Sequence, residues 1–256
     1  MTVNDVYKWL DSFAPFETQE EYDNAGILAG SPDAAVRKVL FALDATGAVV
    51  TQAADIGAEL IVTHHPLMFH PIQQLMYDRG DGRILQMLAA SGISLIAAHT
   101  NLDQCAGGVA DSLADALELE NISGGGDCPY LRTGTLASPC TAKEFLAAIN
   151  QRLSAATRLY GDPDTLIRSV AVVPGGGGSE HIHATADAFV TGEIKHHELL
   201  EAASNALIVL EAGHHPTEFP GIAALHQRFQ KDAAANGWNV EAKLFTQPPY
   251  PQSTDG

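Results

Sequence analysis

Apolar positions along the chain fall into short unbroken runs that alternate with longer stretches of helical spacing. "VRKVLFALDAT" predicts a strand, "GAVVTQAADIG" a helix, "AELIVT" a strand and "GDGRILQMLAASG" a helix. "ISLIAAHT" is a further strand and "GGVADSLADALEL" a further helix. Continuous apolar strands, each followed by a helix, are the pattern of βα units in a mostly parallel sheet covered on both faces.

Glycine, aspartate and proline cluster in "NISGGGDCPY" (Asn121 to Tyr130) and interrupt this pattern, which then restarts. "LRTGTLAS" reads as a strand, "TAKEFLAAINQRLS" as a helix capped by Thr141, and "SVAVVPGGGGS" as a strand and loop. "ADAFVTGE", the helix "HHELLEAASN", the strand "ALIVLEAG", the long helix "PTEFPGIAALHQRFQKDAAANG" and the strand "WNVEAKLFT" follow. The expectation is two α/β halves, residues 1–125 and 126–256, with "QPPYPQSTDG" as a flexible end. "AELIVTHHP" and "ADAFVTGEIKHH" echo each other, both running from an acidic-apolar strand into a histidine pair. The echo is too short to prove duplication, because β-branched strands resemble one another.

Composition narrows the function classes. Lys and Arg total 14 against 31 Asp and Glu, a formal charge of −17. With no net positive surface to displace counterions, a bulk electrostatic grip on nucleic acid or anionic membrane is not expected. Three cysteines (Cys105, Cys128, Cys140) form no CxxC pair. Together with an amphipathic opening "MTVNDVYKWLDSF" in place of a signal peptide, they fit a reducing cytoplasm. No apolar run reaches membrane-spanning length.

Histidines gather where strands end. His64 and His65 follow one strand, and His99 closes another with Asp103 beyond it. His196 and His197 follow a third, and His214 and His215 a fourth, with Glu218 close by. Ligands bind at the carboxyl ends of strands in open parallel sheets, and His with carboxylate is a ligand set for zinc, manganese or iron. Adjacent histidines in extended chain point in opposite directions, so His64 and His65 suit two ions roughly 3.5–4 Å apart rather than one. Each residue also has an ordinary reading: a hydrogen-bonded strand-end histidine, Asp103 as a turn residue, Glu218 as a helix-dipole acid, His196 and His197 as solvated residues at a helix start. Recurrence beside acidic residues favours the metal. The run "PGGGGSEHI" is either an anion cradle of backbone N–H groups or a tight strand-to-helix turn, and it lacks the GK[ST] ending of a P-loop.

"YDNAGILAG", "THHPLMFHPI", "AAHTNLDQCAGGVAD", "PGGGGS", "TGEIKHHE" and "EAGHHPTE" occur in that order over nearly the whole chain. In these motifs the chain resembles the GTP cyclohydrolase I type 2-like, or Ngg-interacting-factor-like, dinuclear metal centre proteins. Tyr22 stands where the opening motif often has tryptophan, and Gly176 where the glycine loop commonly has serine. The resemblance implies two interlocked α/β lobes, without the domain some members insert, and a metal site in the cleft between them. It implies two divalent ions (Zn, Mn or Fe) on His64, His65, Asp103, His214 and Glu218, and a toroidal homohexamer.

The function expected from this is a metal-dependent hydrolase for a nucleotide-like or other small phosphorylated substrate. If that substrate is GTP, attack at C8 opens the purine ring. Glu193 and His99 are the candidates for moving protons. The alternatives are a non-catalytic metal-binding or regulatory assembly protein, and a metal-independent nucleotide binder.

Overall fold

The computed structural model describes residues 1–248. Pro249 to Gly256, within the end expected to be flexible, lie outside the described residues.

The chain opens with helix α1 (Val3–Asp11), whose N-cap Thr2 and third residue Asp5 form a reciprocal capping box. Strands β1 (Gly26–Ala29) and β2 (Lys38–Ala42), helix α2 (Gly47–Asp55), strand β3 (Leu60–Thr63) and helix α3 (Gly80–Ser91) follow. Strand β4 (Ser94–Ala97) leads into the short helix α4 (Thr100–Gln104). Next come α5 (Val109–Ala116), β5 (Glu120–Gly125), β6 (Cys128–Thr141), α6 (Ala142–Leu153), β7 (Arg158–Tyr160) and β8 (Leu166–Val173). A 3-10 turn (Gly177–His183) connects to β9 (Ala188–Thr191), α7 (His196–Ser204), β10 (Ile208–Glu211), α8 (His214–Asn236) and β11 (Glu241–Leu244).

The chain divides into two compact units, which differ from the halves expected at residue 125. One comprises residues 1–106 and the segment from Ile222 onward, the other Gly107–Gly221. The glycine-rich break is the turn of a hairpin: β5 pairs antiparallel with β6, and Gly125 faces Cys128. Turn chemistry serves a hairpin as readily as a domain boundary. The chain then returns to the first unit, where β11 pairs parallel with β2.

In the first unit the sheet order is β1-β4-β3-β2-β11, parallel throughout except for β1 against β4. Leu40, Ala42, Ile61 and Leu95 pack with Val49, Val50 and Ala53 of α2 and Leu88 of α3. On the opposite side Phe41 lies 5.4 Å from Phe229 of α8, which packs edge-on to Trp9 of α1 at 4.9 Å. Burial on both faces is why these strands read as unbroken apolar runs.

In the second unit the order is β5-β6-β8-β9-β10-β7. Only β8-β9-β10 is parallel; the flanking pairs are antiparallel, so this sheet is mixed where a mostly parallel one was expected. Along β8, Val170 and Val172 enter one apolar cluster and Ala171 and Val173 another, which places a core on each face. Among the described residues no helix is long and apolar enough to cross a membrane.

Candidate metal centre

In the first unit, β3 ends at Thr63, and the backbone N–H groups of both His64 and His65 then turn onto the Leu43 carbonyl, at 3.2 and 3.0 Å. This turn overrides the extended geometry expected for the pair. Their rings lie side by side, 5.0 Å apart, and do not project to opposite faces. His64 is fully buried and points Nδ1 at the Ala98 carbonyl, 2.8 Å away. A carbonyl only accepts, so the Nδ1 hydrogen is committed there and Nε2 carries the lone pair. His65 does the same with Asp44, whose Oδ1 lies 2.7 Å from its Nδ1.

His99 follows β4 and joins them. Its Nδ1 lies 2.8 Å from Asp23 Oδ1, and the other oxygen of Asp23 accepts from the Thr100 backbone N–H and hydroxyl. Burial alone would raise the pKa of Asp23, but the hydrogen bonds from His99 and Thr100 outweigh it and hold the carboxyl well below its ordinary range. One donor atom from each of His64, His65 and His99 lies within 4.8 Å of the others. Asp103, one turn into α4, brings Oδ1 to 3.4 Å from His64 Nε2.

In the second unit, β10 ends at Glu211 and α8 begins at His214. The helix therefore starts two residues before the position expected from Pro216, and His214 and Glu218 stand one turn apart on the same face. His214 Nε2 lies 3.0 Å from Glu218 Oε1, and its Nδ1 lies 3.4 Å from Glu193 Oε2. The glycine run borders this pair. Gly175 has a φ of +59°, and a Cβ there would overlap Glu218 Oε1 and come within 3.2 Å of His214 Nε2. Gly178 packs on the loop after β9, where a Cβ would meet the Glu193 carbonyl at 2.5 Å. A Cβ at Gly176 has nothing within 4 Å among the described residues, so a side chain fits there. Close packing thus accounts for the glycines at 175 and 178. His196 opens α7, and His197 beside it is exposed.

A sequence model of Duf34/NIF3 (NGG1p interacting factor 3) matches residues 1–251. The chain belongs to this family. A Streptomyces coelicolor relative named GTP cyclohydrolase 1 type 2 homolog is 34% identical over 264 residues, covering 96% of this chain and 93% of that protein. NIF3-like protein 1 of Drosophila melanogaster is 32% identical over 224 residues, covering 83% and 76%. Among solved structures, Staphylococcus aureus protein SA1388 superposes with a TM-score of 0.90 at 28% identity, covering 99% of both chains.

Against this Duf34/NIF3 background, the first unit brings together His64, His65, His99 and Asp103, and the second His214, Glu218 and Glu193. These groups could hold a metal. Imidazoles with Nδ1 already committed present Nε2 as a donor, carboxylates stand beside them, and the missing side chain of Gly175 keeps space at Glu218. The residues fit borderline divalent ions better than calcium, which prefers oxygen alone. Sequence reasoning missed Asp23 and Asp44. Asp44 had one available signal, an acid just past the end of β2, and Asp23 stands within "YDNAGILAG".

Proposed function

We propose that the chain binds two divalent ions through His64, His65, Asp103, His214 and Glu218 and acts as a hydrolase on a nucleotide-like or other small phosphorylated compound. The observation that carries this reading is the convergence of His64 and His65, with His99 beside them, each ring held through Nδ1 by an oxygen acceptor. One donor atom from each of these three rings lies within 4.8 Å of the others, a spacing that suits metal ligands. Membership of the Duf34/NIF3 family and the ligand motifs in the family's order support counting His214 and Glu218 among the ligands. The name of the Streptomyces relative supports a nucleotide-like substrate.

Divalent ions held by these residues would supply Lewis-acid polarisation and bring the pKa of a bound water toward neutral. The chain contributes orientation and proton handling. Asp23 holds His99 so that its Nε2 can take up or return a proton, and Asp44 fixes the ring of His65. Glu193, beside His214 Nδ1, is the second group placed to move protons.

The test is elemental analysis of untagged protein from cells grown with zinc, manganese and iron available, then turnover assays on GTP and a phosphoester panel. The reading expects at least two ions per chain and turnover abolished by His64→Ala and Asp103→Ala. Fewer than one ion per chain overturns the dinuclear centre. Full loading with no turnover on any substrate leaves a metal-binding assembly protein and overturns the hydrolase.

A further inference from the structure

We propose that the second unit carries a separate divalent-cation site, outside the centre described above, on the 3-10 turn Gly177–His183 and helix α7. His181 and Glu201 supply two donors, and His197 is the third.

His181 lies in the histidine-bearing end of the run "PGGGGSEHI", which the metal centre does not use. Its side chain is 2% exposed, and its Nδ1 is 2.9 Å from the Gly178 carbonyl. That carbonyl can only accept, so Nδ1 carries the hydrogen and Nε2 the lone pair. Nε2 is buried and makes no hydrogen bond among the described residues. The group it faces is Glu201 Oε2, 3.7 Å away. A lone pair therefore points at a carboxylate, which also has only lone pairs to offer. Two acceptors held face to face, one of them buried, need something positive between them. Either a second proton on His181 or a cation satisfies the pair.

The spacing and the neighbours favour a cation. Two N/O ligands at tetrahedral angle on a zinc-sized ion stand about 3.4 Å apart, close to the separation seen here. Glu201 follows His197 by four positions on α7, which places both on one face of the helix. The His197 side chain is 76% exposed, with Nε2 4.0 Å from Glu198 Oε1, so its ring is open to rotation toward Glu201. Imidazole–carboxylate–imidazole is a borderline donor set that takes zinc and its neighbours in preference to magnesium or calcium. A cation there would clamp the glycine turn to α7.

Chelator-stripped full-length protein is titrated with Zn2+, and bound metal is counted after gel filtration for wild type, E201Q, H181Q and H64A. E201Q and H181Q are each expected to bind about one equivalent less than wild type, while H64A keeps the equivalent they lose. Glu201 is 58% exposed, so E201Q remains informative even if H181Q does not fold. Equal loading and affinity in E201Q and wild type would mean that the pair shares a proton, and would overturn the proposal. Failure of the dinuclear centre registers separately, as unchanged loading in H64A.

Discussion

A carbonyl or carboxylate behind each site histidine decides which nitrogen faces inward, so Ala98, Asp44 and Asp23 belong to the site as much as the rings do. Removing such a partner typically weakens metal affinity roughly 10–100-fold. Asp44→Asn is expected to do so with the fold intact, as read by competition titration against a chromophoric chelator together with circular dichroism. Unchanged affinity would make Asp44 a bystander. The glycine run offers an internal contrast. Gly175→Ala forces a left-handed residue and a Cβ onto Glu218, and is expected to cost more than about 1 kcal/mol and impair metal uptake. Gly176→Ala, at φ −80° and with open space, is expected to be silent in the same thermal and metal assays. Cys128 is 2% exposed, and burial with a hydrogen bond to Glu180 pushes its thiol up to about 11. It should resist iodoacetamide at pH 8 in native protein and react once unfolded, which mass spectrometry reads directly. The histidines were legible in the sequence because they recur at strand ends. Asp23 was not singled out, since it stands 76 positions from His99 and nothing local ties the two together.

The two short echoing stretches in the sequence correspond to one structural device used twice. Glu59, just before β3, accepts the backbone N–H groups of Arg37 and Lys38. Asp187, just before β9, accepts those of Arg168 and Ser169. Each acid ties the start of its strand to the parallel neighbour, and the carbonyl of the last strand residue, Thr63 or Thr191, then accepts from Ala98 or Ala212. Burial would raise the pKa of Asp187, but the N–H groups of Ser169 and Arg168 outweigh it, so the folded carboxyl titrates below its ordinary 3.8. A folded pKa below the unfolded one gives stability that is present above the unfolded value and lost as pH falls through the folded value. Asp187→Asn is therefore expected to unfold at lower urea than wild type at neutral pH, with the gap closing as pH falls below the ordinary aspartate value of 3.8. A gap independent of pH would assign the loss to packing. Most strands and helices were legible from apolar period alone. The hairpin at Gly125 was not, because Gly-Asp-Pro clusters mark a change of direction without saying where the chain goes next.

At the scale of the whole molecule, the family resemblance carries a prediction about assembly: light scattering should find six copies of the 27.1 kDa chain in solution. A monomer would remove that expectation without touching the site within either unit. The sequence by itself determined the α/β class, the acidic balance, the candidate donor residues and the motif order that places the chain in its family. Those properties are local or additive: apolar period reports burial, and side-chain chemistry travels with the residue. Only the tertiary structure decided that the chain leaves its first unit at Gly107 and rejoins it at Ile222, that the second sheet is mixed, and that His64 and His65 turn to the same side. These depend on which backbone groups find each other across long loops. The pairing of β11 with β2 and of two histidine amides with Leu43 is settled by the packed whole, because many local sequences could satisfy the same hydrogen bonds.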